Sequence, residues 1–179
     1  MAFLGDVMRL LVLIFTVFAS IALGAFEEIE SLKAGFIQTI RSVDAKEITY
    51  KGRLYALSPY YALWRYEKPM EKEIYVHNRQ VVVYEPDLFQ ATVSTLKDSI
   101  DFIALLRGAK KIDEQTYETV ILDQRYRVLA PRGVPQSIQF TDKLDNQVFI
   151  ELRDVELNSK IDKELFIFIP ESSIDIIRP

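Results

Sequence analysis

The chain has 179 residues, 49% of them hydrophobic, and 22 basic against 26 acidic side chains, a net charge of −4. This is enough for one domain with a sizeable core. The acidic balance argues against both the basic face of a nucleic-acid binder and a polybasic patch for anionic membranes. There is no Cys, so neither a disulfide framework nor a lipid-bearing cysteine at a cleavage site is available.

Arg9 precedes an apolar run from Leu10 to Leu23 that ends in Ala22-Leu23-Gly24-Ala25. A basic flank, a short apolar stretch and small residues at −3 and −1 describe a secretory signal peptide. Cleavage is expected after Gly24 or Ala25, giving a signal segment at 1–24 and one domain at 25–179. The alternative is an uncleaved anchor, but the run falls short of the roughly 20 residues a span needs. Export without an anchor places the mature protein in a periplasm-like compartment.

From Phe26 to Arg41, Ile29, Leu32, Phe36 and Ile40 recur at steps of three and four, which predicts an amphipathic helix with acidic residues in its first turns. After Asp44 the period becomes two. In ITYKGRLYAL, Ile48 to Leu57, the residues Ile48, Tyr50, Leu54 and Ala56 share one face of a strand. ALWRYE follows Pro59 and stops at Pro69. EIYV and QVVVYE form a hairpin about His77-Asn78-Arg79, since Asn tolerates positive φ. FQATVSTL continues the meander. DSIDFIALLRG predicts a short helix with a wide apolar surface, closed by Gly108. YETVIL, YRVLAP, SIQFTD, VFIELRDVEL and LFIFIP then read as short strands, with an IDII tail. The architecture is α+β: one antiparallel sheet of about ten strands with two or three helices laid on one face.

Catalytic chemistry finds little support. The single His, His77, falls at a hairpin tip and reads as an exposed turn residue rather than a general base. No His or Cys cluster suggests a metal, and neither a G-x-S-x-G elbow nor a Gly-rich phosphate loop appears. Asp98 and Asp101 read as charges favouring a helix N-terminus. The protein is not expected to be an enzyme, nor to need a cofactor or metal.

What remains is surplus apolar surface. QVVVY, LFIFI, VFI and ALWRY are apolar on both faces, which demands cover on both sides of a sheet. Two explanations stay open: a curved sheet around a lined cavity, or a core filled by its own aromatic residues.

Four blocks in order decide between them by resemblance: SLKAGFIQ (31–38), KGRLYALSP (51–59), LWRYEKPMEKEIYVHNRQVVVYEPDLFQATV (63–93) and LFIFIPESSIDI near the end. They resemble the periplasmic outer-membrane lipoprotein carrier family, LolA: respectively its helix with Phe-x-Gln, its strand running into a proline, its Trp–Pro–hairpin block and its final Phe-x-Phe-x-Pro strand. The resemblance implies a half-barrel of about 10–11 antiparallel strands with a lid of two to three helices over its concave apolar face. It implies a monomer that takes up the acyl chains of lipoproteins from an ATP-driven exporter in the inner membrane. Delivery would be to an outer-membrane receptor that shares the fold but is itself a lipoprotein, so the absent Cys favours carrier over receptor. A sensor or chaperone of the same fold without transfer activity is the alternative. Ser58 stands where the family has an Arg that latches the lid, and Ala62 where it has a Phe near Trp64; the latch is not carried over.

On that reading, Leu54, Trp64, Tyr66, Ile74 and Val76 face a lipid cavity by strand phase, with Leu63 and Arg65 outward. Phe36 joins them from the first helix, Ile103 and Leu106 from the short lid helix, and Phe140 and Phe168 from later strands. Burial of acyl chains yields about 0.8 kcal/mol per CH₂. Full enclosure of several chains would reach the practical ceiling of noncovalent affinity, roughly 20 kcal/mol, so partial enclosure is expected.

Overall fold

A computed structural model describes residues 26–99, 101–121 and 124–178. The apolar run of 10–23, and with it the expected signal peptide, lies outside the described residues. The ordered elements are β1 (Ser31–Arg41), β2 (Glu47–Leu57), β3 (Tyr61–Lys68), β4 (Lys72–His77), β5 (Gln80–Glu85), β6 (Gln90–Thr95), α1 (Phe102–Arg107), β7 (Lys110–Lys111), β8 (Thr116–Ile121), β9 (Gln124–Leu129), β10 (Ser137–Thr141), β11 (Gln147–Leu157) and β12 (Asp175–Ile177). All twelve strands join one sheet in the order β12-β6-β5-β4-β3-β2-β1-β11-β10-β9-β8-β7. Neighbours are antiparallel except at one edge, where β12 runs parallel to β6.

The segment predicted as the first helix is a strand from Ser31 onward. Leu32, Phe36 and Ile40 satisfy helical spacing but also share even parity, and pairing settled the choice. β1 is laddered to β2 from Ser31↔Leu57 to Arg41↔Glu47, and to β11 on its other side. β-branched Ile37, Thr39 and Ile40 suit such a two-sided position.

Two further expectations change. Among the described residues there is one α-helix, so the lid is a single short helix rather than two or three. LFIFIP is not a strand: Lys163–Phe166 form a 3₁₀ turn, and the chain then crosses the outer face of the sheet without joining it until β12. Predicted turns fare better. Asn78 sits at φ 57 in the β4–β5 hairpin, and Asp101 caps α1 by accepting a hydrogen bond from the Ala104 amide at 2.9 Å. Gly108 does end α1, in a right-handed conformation.

The sheet has two cores. On its inner face Leu32, Ala34, Phe36, Leu54 and Ala56 pack with Ile103 and Leu106 of α1, and with Val128, Ile138, Val148, Ile150 and Leu152 from the other half. On its outer face Leu63 is fully buried, with Phe166 and Val82 also out of solvent. Phe166 lies 5.4 Å from the Tyr61 ring, and Phe168 packs on Tyr75 and Tyr84. The LFIF segment is thus the cover that β3 to β5 need on their second face. Leu63, expected to point outward, does so beneath that cover.

Candidate functional site

The inner core is not filled throughout. A cavity of about 330 Å³ is lined by Gln38 of β1, Ala62, Trp64 and Tyr66 of β3, Ile74 and Val76 of β4, Phe102, Leu105 and Leu106 of α1, Thr119 of β8, Tyr126 of β9, Ile138 and Phe140 of β10, and Ile150 of β11. β4 and β8 have six strands between them in the sheet order. At about 4.8 Å per strand, a flat sheet would hold them roughly 34 Å apart. That both line one cavity requires the sheet to curl, with even-numbered side chains of β1 to β4 and odd-numbered Thr119 of β8 inside.

The floor is built by cross-strand stacking. Phe36 pairs with Gly52, whose missing side chain leaves room for the phenyl ring: a Cβ there would lie 2.9 Å from Phe36 Cε1 and 2.0 Å from the Arg65 carbonyl oxygen. Trp64 and Tyr66 set their rings at 66° and 77° to Phe36, with centroids 5.1 Å away in both cases. Phe102 meets Trp64 from above at 6.0 Å. On the opposite wall Tyr126 and Phe140 lie 4.8 Å apart.

Polar groups gather at one end of the cavity. The Tyr66 hydroxyl donates to Gln38 Oε1 at 2.9 Å, and burial, with Tyr50 nearby, pushes its pKa up to about 12. Lys72 Nζ lies over the Tyr66 ring at 4.9 Å and the Tyr50 ring at 5.9 Å. Burial raises the Tyr126 pKa as well. At the other end α1 is tied down by its last residue. Arg107 donates from Nε and Nη2 to the Ile29 carbonyl, at 2.9 and 2.5 Å, and from Nη2 to Glu30 at 2.5 Å. Ser58, beside this contact, gives only its amide to the Glu30 carbonyl at 2.8 Å.

Of the residues singled out from sequence, Trp64, Tyr66, Ile74, Val76, Leu106 and Phe140 line the cavity. Phe36, Leu54 and Ile103 share its face but lie beneath the surface, buried in the core. Phe168 does not belong: it sits on the outer face against Tyr75 and Tyr84, because its segment is a cover and not a strand. Gln38, Ala62, Phe102, Leu105, Thr119, Tyr126, Ile138 and Ile150 were missed. The helical reading of 26–41 hid Gln38, and which strands curl toward β3 is a property of the whole sheet. His77 is exposed at the end of β4, stacked on Tyr61 at 4.5 Å. Among the described residues no group of three or more His, Cys, Asp or Glu could hold a metal, and no helix is long and apolar enough to cross a membrane.

Curved sheet, single helix among the described residues and apolar hollow define a class: an open half-barrel with a cavity on its concave face. Residues 27–129 match the family model described as outer membrane lipoprotein carrier protein LolA. A Wolinella succinogenes outer-membrane lipoprotein carrier protein is 53% identical over 167 residues, covering 93% of this chain and 97% of the relative. One from Helicobacter pylori strain HPAG1 is 42% identical over 153 residues, covering 85% and 82%. The crystal structure of an uncharacterized conserved protein from Thermus thermophilus superposes with a TM-score of 0.55 at 11% identity, covering 87% of this chain and 95% of that one, a likeness of fold alone. The chain belongs to the LolA family of outer-membrane lipoprotein carriers.

Proposed function

We propose that this chain is a periplasmic lipoprotein carrier. After removal of residues 1–24 it receives acylated lipoproteins from an ATP-driven exporter in the inner membrane, encloses part of their acyl chains, and passes them to an outer-membrane receptor. The observation that carries the reading is the hollow between Trp64, Tyr66, Ile74, Val76, Leu106 and Phe140 in a chain of this family. Ligand pockets span roughly 300–1,000 Å³, so this one stands at the small end, in keeping with partial enclosure. Phe36, Leu54 and Ile103 hold the lining rather than touch the ligand.

Release requires that not all the burial energy be captured. In the empty protein α1 covers part of the apolar face, and lifting it costs the Arg107 contacts and the burial of Ile103. That cost is set against acyl binding. Arg107 reaches from the helix to the backbone before β1, so in this chain the fastening belongs to the lid and not to position 58.

Trp64 is the direct probe. Trp64→Ala lowers acyl-chain binding sharply yet costs less than the about 3–5 kcal/mol of a fully buried aromatic, because the indole is only part-buried. A folded Trp64→Ala protein with normal lipoprotein uptake would overturn the assignment. In cells, depletion of the protein should leave lipoproteins at the inner membrane; unaltered sorting would favour a sensor over a carrier.

A further inference from the structure

Every hairpin turn described at one end of the sheet carries an exposed apolar residue. The strand ladders place four turns at that end: Ser42–Lys46 between β1 and β2, Pro69–Glu71 between β3 and β4, Pro86–Phe89 between β5 and β6, and Asp142–Asn146 between β10 and β11. Their tips are Val43 (72% exposed), Met70 (48%), Leu88 (64%), Phe89 (62%) and Leu144 (76%). Apart from Ile169, no large hydrophobic side chain among the described residues is more exposed than Val43, Leu88, Phe89 and Leu144.

These tips are held outward. Ala45 N donates to the Ser42 carbonyl at 2.9 Å, Phe89 N to Pro86 at 3.0 Å and Asp145 N to Asp142 at 3.1 Å. Each donor residue has φ between 51° and 61°. Tight turns of this kind fix the middle residues away from the strands. The Asp142 carboxylate also accepts from the Leu144 and Asn146 amides. The cavity's polar end lies on the same side: Gln38, Tyr66 and Phe140 come near the ends of their strands there, whereas α1 is fastened by Arg107 at the opposite end.

Charge selects the occupant. The four turns and the strand residues that flank them hold five cations, Arg41, Lys46, Lys68, Lys72 and Lys143, against seven carboxylates, Asp44, Glu47, Glu71, Glu85, Asp87, Asp142 and Asp145. An anionic surface is repelled, while ammonium groups over an apolar layer are matched. The tips stand on four separate turns spread along the curled sheet rather than on one face of an element, a form that suits a fluid surface better than a protein groove.

We propose that this rim docks on a zwitterionic bilayer surface rich in ethanolamine headgroups, with the tips entering the headgroup–acyl boundary and the cavity's polar end turned to the lipid. The proposal rests on the carrier reading for its purpose, and its test does not depend on cargo. Cargo-free protein purified after export is floated with phosphatidylethanolamine/phosphatidylcholine vesicles, and with vesicles doped with phosphatidylglycerol. It should float with the first and less with the second. Changing Val43, Met70, Leu88 and Leu144 together to Ser should weaken partition about tenfold or more, with Trp64 emission unchanged as the check of fold. Should the fourfold variant misfold, Leu88→Ser and Leu144→Ser singly must each lower flotation. Wild-type protein that stays with the buffer, or variants that float as well as it does, overturns the proposal. So does a loss of cargo receipt in the variants when the wild type ignores vesicles, since the rim's partner is then a protein. Trp64→Ala separates the two claims: its flotation persists if the rim acts alone, whatever becomes of lipoprotein binding.

Discussion

Gly52 sets the depth of the cavity floor. A methyl group there meets the Arg65 backbone, which no rotamer change can relieve, and the Phe36 ring. Gly52→Ala should destabilise by about 1–3 kcal/mol or more, the range of overpacked cores, and shift Trp64 emission in the folded fraction; a urea melt superposable on wild type would refute this. Tyr66 offers a second single-residue test. Its folded pKa of about 12 exceeds the ordinary 10, so the unfolded chain loses the proton first. The contribution of Tyr66 to stability is level below about pH 10 and falls as pH rises toward 12. Tyr66→Phe removes that part of the alkaline decline and gives up one hydrogen bond to Gln38, about 1 kcal/mol at neutral pH. Unfolding free energies across that range, with tyrosinate absorbance, check both.

Among the elements, α1 lies outside the strand ladder. It has six residues, too few to be helical alone, and is held by Ile103, Leu106, the Asp101 cap and Arg107. A guanidinium bond to a carbonyl contributes about 1.5–3 kcal/mol, while the exposed partner Glu30 adds little. Arg107→Ala should therefore speed amide exchange in α1. It should also tighten acyl binding by about tenfold, since 1.4 kcal/mol of closing energy is a factor of ten, and slow transfer onward. Unchanged affinity with unchanged exchange would show that Arg107 does not fasten the lid.

At the scale of the molecule, one sheet divides two tasks between its faces. Over β3 to β5 the outer face is covered by the chain's own Lys163–Phe168, and the inner face is left partly open. Phe166→Ala should cost about 3–5 kcal/mol, as other buried aromatic truncations do, yet leave Trp64 emission and acyl binding per folded molecule unaltered. Denaturant melts and ligand titration on the same protein test that separation. Failure of both together would mean that the two faces are coupled through β3.

Strand parity was legible in the residues: Trp64, Tyr66, Ile74 and Val76 alternate with Leu63, Arg65, Glu73 and Tyr75, and period two puts them on opposite faces whatever the fold. The hairpin at Asn78 and the cap at Asp101 are likewise local chemistry. Three things were not local. Leu32, Phe36 and Ile40 fit both helical and strand periods, and only the ladders to β2 and β11 chose. LFIFIP has strand composition but covers a face instead of joining an edge. Which alternating residues meet across the hollow depends on how far the sheet curls. A side chain's own chemistry fixes which way it points relative to its neighbours in sequence; what it points at is decided by partners distant along the chain, and those exist only once the sheet has closed around them.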